Sequence, residues 1–435
     1  MGTVLLEGID LSILWALPFV GFLLALALIP LLKPDFWHHH DLKVSLLSSI
    51  LVIGPMCLTL GVGGTMTLVS KTVIHHYIPF LVMIGALFVI SGGIHITTAG
   101  DAKPLTNIAF LLGSGLLASV IGTTGASMLL IRPFLNLNHD RRHKTYLVIF
   151  FIFIVSNIGG SLSPIGDPPL FLGFLEGVSF FWPLKNLFVP FMLVMLPLLI
   201  IFYFFDRYHH RHHLEVVERD EIQKFKVYGK RNFVFLGGLL TIFLLTSVDT
   251  EKYHVVRDLG IILIAGASYF FTPRQVHHMN RLNFSPVREV AIVFFAIFIT
   301  LIPIEAMLHG GRDGVFGGLI AYANPGGLSD PLRYFFLTGL LSAFLDNAPT
   351  YLLFFHMAGG DADMLMGQGA KVLAAISVGS VFMGAMTYIG NAPNFMVKSI
   401  AEKQHIRMPS FLGYMLWSGG ILLPILILFG LFYFR

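Results

Sequence analysis

At 435 residues, 55% of them hydrophobic and only 12% charged, this chain is not an ordinary water-soluble domain, where about a quarter of the residues carry charge. Its formal net charge of +4 sits in short segments between apolar runs and not in one basic stripe, which argues against nucleic acid as a partner. One cysteine, Cys57, excludes an intramolecular disulfide, a redox pair and a cysteine metal centre.

Apolar runs recur at 12–33, 44–69, 77–98, 183–205, 232–248, 287–307 and 409–434. Helices of such length cross a hydrocarbon layer about 30 Å thick. The start of the chain lacks the basic segment and cleavage site of a signal peptide, so the first run is expected to stay in the mature protein. After the third run comes an apolar hairpin, 104–131, interrupted by GTTGAS at 122–127. A span at 145–175 follows, broken within GGSLSPIGDPPLFL at 159–172. The stretch 206–231 is the only long charged one and reads as a linker. Its HHRHH run, like His38, His39 and His40, reads as solvated loop histidines. Beyond it lie a second hairpin, 334–357, with LDNAPT at 345–350, and a second broken span, 371–400, with MGAMTYIGNAPNFM at 383–396.

The two breaks match in register: Ile165, Gly166, Asp167 and Pro169 face Ile389, Gly390, Asn391 and Pro393. At a spacing one residue shorter, Ser127 faces Thr350 and Thr124 faces Asn347. Each half, 1–205 and 232–435, therefore holds about five crossings and one re-entrant hairpin, and an odd number of crossings inverts the second half. The expected fold is an all-α polytopic membrane protein of two inverted repeats. Most of the 28 Lys and Arg residues fall in one set of loops, which puts the linker in the cytoplasm, both termini outside, and the protein in the inner (plasma) membrane.

Lipid offers no hydrogen-bond partner, so a break in a membrane helix survives only inside protein or beside water. Gly166, Pro168 and Pro169, like Gly390 and Pro393, break helices by lacking a Cβ or an N–H. Freed carbonyl ends suit cations and N–H ends suit anions, so paired breaks in two halves point to a transport site. Asp167 and Asp346 put carboxylates at membrane depth, where function is the default reading. With nearby amide and hydroxyl oxygens they form a hard-oxygen set suited to sodium or a small oxyanion. His95 and Glu305, at matching places in the third span of each half, either relay protons or pack near a span end.

With IGDPP, DNAPT and IGNAP in place, the chain resembles the ion transporter superfamily of NhaD-type sodium/proton antiporters, arsenite permeases and citrate or dicarboxylate carriers. SNIGGSLSPIGDPPLFLGFL, 156–175, looks most like the NhaD and arsenite-permease branch. The resemblance implies a scaffold from the early spans, a mobile transport region from hairpins and broken spans, and a homodimer. It also implies a site at Thr123, Thr124, Ser127, Asn157 and Asp167 from the first half, with Asp346, Asn347, Thr350, Asn391 and Asn394 from the second. GTTGAS lacks the Ser-Asn-Thr of dicarboxylate carriers, and no Lys or Arg lies deep in the site, Arg132 and Lys398 being near span ends. Both departures favour a cation.

The resulting expectation is exchange of sodium for protons by alternating access, with Asp167 and Asp346 holding either ion. The alternative is a sodium- or proton-coupled carrier of citrate, another organic anion or arsenite. No cofactor is expected beyond the coupling ions, and the partners are the lipid bilayer and a small ion or anion. An enzyme is not expected, since HExxH and GxSxG signatures are missing.

Overall fold

Backbone groups in hydrocarbon must be satisfied within the segment, and this chain meets that demand with helices. The structure, a computed structural model, describes residues 11–98, 102–212, 226–247, 250–280 and 282–435. Among them eight helical runs are long and apolar enough to cross a membrane, and the two strands are three residues each. The protein is an all-α polytopic membrane protein. Many of its helices start with proline at the first turn, where the missing N–H costs nothing: Pro104, Pro168, Pro286, Pro331 and Pro393.

The early helices depart from the sequence reading at one joint. Apolarity alone put a loop between runs 44–69 and 77–98, around Lys71, His75 and His76. The structure instead breaks the helix Pro34–Thr72 at Gly61, whose φ of 71° suits a residue without a Cβ. From there the helix continues through a π turn, Val73–Tyr77, into Ile78–Gly92. His75 and His76 thus belong to the third crossing. That crossing ends at Gly92, and His95–Thr97 pairs antiparallel with Lys226–Tyr228, with His95 opposite Tyr228. The end of the third crossing and the end of the linker therefore share one side of the molecule, called the linker side below. In the second half Ser285–His309 is the third crossing.

The charged stretch 206–231 is helical at its start, because helix Trp182–His212 runs into it. Asp206 is buried, contrary to its reading as part of a solvated linker, because Arg141, Tyr146 and Asn107 all bond to it. His209 stacks on Tyr146 at 4.5 Å and His210 meets Arg141, so neither is simply a solvated loop histidine.

The first hairpin is Pro104–Ile121 and Thr123–Leu137, turning at Gly122 with φ 81°. Its open end is on the linker side, where Asn107 and Asn138 bond each other and Asn107 reaches Asp206. The second hairpin is Pro331–Phe344 and Asn347–Met357, and the hydroxyl of Tyr334 closes its open end onto Met357 O at 3.3 Å. Two broken segments complete the pattern. The first runs Thr145–Ile154, a 3-10 turn Ile158–Leu162, then Pro168–Leu175; the second runs Ala370–Met383, Gly384–Met386, then Ala392–Lys403. Both hairpin tips come to the breaks.

Candidate functional site

Each broken segment turns on a glycine pair. A Cβ on Gly166 would collide with the carbonyl of Gly160, and one on Gly390 would lie 2.6 Å from Gly384 O. Only glycine permits the chain to fold back so closely, which accounts for the Ile-Gly in both motifs. The same device brackets each break: Ser163 donates to Ser119 O, and Thr387 donates to Ala343 O at 2.5 Å. These bonds fasten each break to the end of the first helix in its own hairpin.

Asp167 follows the first break and is fully buried. Its Oδ1 accepts from the Thr123 hydroxyl at 2.6 Å and from Asn391 Nδ2 at 3.2 Å, and its Oδ2 accepts from Asn347 Nδ2 at 2.6 Å. Thr123 N also donates to Gly166 O at 2.7 Å. Asp167 and Asn391 are 224 residues apart, and the helix starts Thr123 and Asn347 share that spacing. Asn347 is therefore matched to Thr123 and not, as the shorter spacing suggested, to Thr124. Counterparts from the two halves thus surround one carboxylate.

A second tier of amides lies behind. Asn157 Nδ2 donates to Asn394 Oδ1 at 2.7 Å and to Ile152 O at 2.9 Å, while Asn391 Nδ2 also reaches Asn157 Oδ1 at 3.2 Å. Asn394 Nδ2 is held by the carbonyls of Gly384 and Thr387. Every amide N–H₂ is committed, so the oxygens are oriented. One is unsatisfied: Asn347 Oδ1 is buried and has no donor. A buried acceptor without a donor is costly, which makes it a natural place for a cation or a donor group to arrive.

The remaining expected residues are close but differently engaged. Ser127 bonds Ser156 at 2.8 Å, a turn below Thr123, and Thr124 is half-buried on the tip turn. Thr350 donates to its own helix at Asp346 O, 3.0 Å away. Asp346 does not bond Asp167; its Oδ1 accepts from Ala348 N at 3.1 Å and caps the helix Asn347–Met357. It directly precedes Asn347, whose amide bonds Asp167. No cluster of three or more His, Cys, Asp or Glu able to hold a metal occurs among the described residues. Any ion held here would rest on one carboxylate with neutral oxygens.

His95 and Glu305 lie at opposite ends of the molecule and in different elements, one in a strand and the other in a helix. His95 lies on the linker side with Nδ1 2.7 Å from Asn280 Oδ1, because the third crossing ends before it and a strand begins. Glu305 lies 3.4 Å from His356 Nε2 at the opposite end. The sequence reading missed a set of charged residues there: His76 Nδ1 is 3.2 Å from Glu176 Oε1, and His356 belongs to the second hairpin. An ionisable residue one turn from each hairpin or break terminus was the available signal.

The model of a family described as "Putative citrate transport" matches residues 8–434. No curated protein matches the chain.

Proposed function

The chain belongs to this citrate-transport family, and we propose that it is a secondary carrier that moves a small carboxylate together with a cation, sodium or a proton, bound at Asp167. The observation that carries this reading is a fully buried carboxylate held only by neutral donors from both halves, beside an amide oxygen that has no donor. An ionised Asp167 at membrane depth lacks a resident positive charge, and a mobile cation supplies it.

The anion is received by a different feature. Helices Thr123–Leu137 and Asn347–Met357 both begin at the cage, and their starts carry partial positive charge. A carboxylate placed between those starts would be repelled by an uncompensated Asp167. Cation binding removes the repulsion, so each ligand favours the other, which is the physical content of symport. With the cage built from the tips of hairpins that enter from opposite ends, opening it to one side at a time gives alternating access.

Sodium/proton exchange is the second reading, favoured by the lack of any Lys or Arg side chain bonded to the cage. There Asp167 would hold either sodium or a proton, and the two would compete.

The deciding experiment uses purified protein in vesicles with a trapped pH dye, challenged with a sodium step with and without citrate. Ion movement that requires citrate supports the carrier; movement with sodium alone replaces it with the exchanger. Citrate uptake that ignores both sodium and pH would remove the coupling role of Asp167.

A further inference from the structure

Glu176 and His356 lie at the far ends of the two short helices whose near ends build the cage. Pro168–Leu175, eight residues and about 12 Å long, starts beside Asp167 and ends at Glu176. Asn347–Met357, eleven residues and about 16 Å, starts at the cage and carries His356 in its last turn. Each of these end residues pairs with a residue of a third crossing: Glu176 with His76 at 3.2 Å, and His356 with Glu305 at 3.4 Å. The polarity is crossed, since one third crossing supplies the histidine and the other the carboxylate. All four are half-buried, and the cluster is at the end away from the linker, because Glu176 follows a segment that starts beside Asp206 on the linker side.

The surroundings add few compensating charges. Lys71 acts on Glu176 from the helix before the π turn. His309, a turn beyond Glu305, has its ring 6.4 Å from that of His356, and Tyr351 stands on the second-hairpin helix within reach of the charge on Glu176. Behind Phe174, Arg257 lies over the ring at 6.0 Å but is already paired with Asp258 at 2.9 Å, and His254 faces Asp258 and His75. With both histidines charged, the four groups balance. With both neutral, two half-buried carboxylates lose their histidine counter-charges at the joint between the cage helices and the third crossings, and His356 Nε2 is not aimed well enough at Glu305 to make a hydrogen bond in compensation.

We propose that His76–Glu176 and His356–Glu305 form a proton-operated latch on the face opposite the linker, which holds the cage helices against the third crossings when protonated and releases them when it loses its protons. The sign follows from the charges. A histidine paired with a carboxylate contributes its stability below its own titration range and loses it as pH rises through that range. Because the pairs stand at the far ends of rods that begin in the cage, any motion of those rods against the third crossings separates both pairs. Acid on that face therefore slows alternation and alkali speeds it. The turnover test rests on the carrier reading; the exchange test below does not.

The full-length protein in vesicles is assayed with the pH of one side stepped from about 6 to about 9 at a time. The wild type should speed up about tenfold on the latch side, one unit of proton linkage at least. The double variant His76→Gln and His356→Gln, which keeps hydrogen bonding without charge, should be fast at both ends with unchanged substrate KM. An unaltered pH profile in that variant overturns the latch. Independently, amide hydrogen exchange on the wild type alone, scaled for intrinsic rates, should show residues 170–176 and 350–357 losing about tenfold protection between those pH values relative to 104–121. Equal protection at both pH values overturns it even if transport is never detected.

Discussion

Asp167 and Asp206 are both fully buried and both bond to asparagine, yet only one has a counter-charge. Asp206 is met by Arg141 at 3.0 Å, by the Tyr146 hydroxyl at 2.7 Å and by Asn107 at 2.8 Å. Arg141 is further fixed to Ala102 O at 2.6 Å. Asp167 is met by a hydroxyl and two amides, none of them charged. A buried carboxylate with a resident cation is complete and serves the fold, tying the open end of the first hairpin to the closing helix. One that has only dipoles is left short of charge, and that shortfall is what a transported cation fills.

The sharpest way to break this contrast is to remove each charge in turn. Asp167→Asn should reduce transport to the level of empty vesicles while the protein remains folded, inserted and no less heat-stable, since an uncompensated charge leaves the interior. Transport and melting measured on the same preparation decide it, and an active variant would remove Asp167 from the mechanism. Asp206→Asn should do the reverse. It strands Arg141 in the interior and is expected to cost about 3–5 kcal/mol of stability. Whatever protein still folds should keep the wild-type substrate affinity. A stable Asp206→Asn protein with altered affinity would mean that the two aspartates share one function.

How far the sequence showed this contrast depends on what a sequence encodes. The breaks were legible because Gly166, Pro169, Gly390 and Pro393 act on their own backbone, whereas the grouping of Asp167, Asn391, Thr123 and Asn347 into one candidate site came from the family resemblance, the matched motifs having set Asn347 against Thr124. The joint at Gly61 was not, because hydropathy registers Lys71 and the two histidines as a gap, while the chain carries them within a continuing helix and gives His76 a partner. Lateral neighbours were the general blind spot. Arg141 and Asp206 looked like loop and linker charges, and nothing local announces that they are the same buried pair. His95 and Glu305 looked alike for the opposite reason: similar depth on an approximate alignment, with partners that differ completely.

A smaller effect sharpens the comparison on the cage side. Asn347 both donates to Asp167 and leaves its own oxygen without a donor, so it is the residue best placed to complete a cation's shell. Asn347→Ala removes both and is expected to weaken apparent cation affinity by about ten- to a hundredfold, the equivalent of about 1–3 kcal/mol for one buried polar partner. Thr123→Val tests the opposite side of the carboxylate through a single neutral hydrogen bond, and about a tenfold loss is expected. Sodium titrations of transport at fixed substrate measure both, and unchanged affinity in each would leave the oriented amides without a role.

The smallest effect belongs to Asp346, and it tests whether the site has one carboxylate or two. On the sequence, Asp346 and Asp167 looked like equal ligands. In the structure Asp346 is the N-cap of Asn347–Met357, accepting from Ala348 N, with no hydrogen bond to Asp167. Asn caps a helix about as well as Asp, so Asp346→Asn should leave stability within a few tenths of a kcal/mol, whereas Asp346→Ala should lose about 1 kcal/mol. What the amide cannot replace is charge. The carboxylate directly precedes Asn347, which bonds Asp167, so its removal subtracts a through-space attraction for a cation worth about 0.2–1 kcal/mol, or a few-fold in affinity. The measurement is a sodium titration of Asp346→Asn beside Asp167→Asn, at low and at high ionic strength. A few-fold loss that shrinks in salt identifies Asp346 as a distant charge on a single-carboxylate site. Complete loss, as in Asp167→Asn, would mean that the hairpin tip turns its carboxylate inward during transport and that the site uses both.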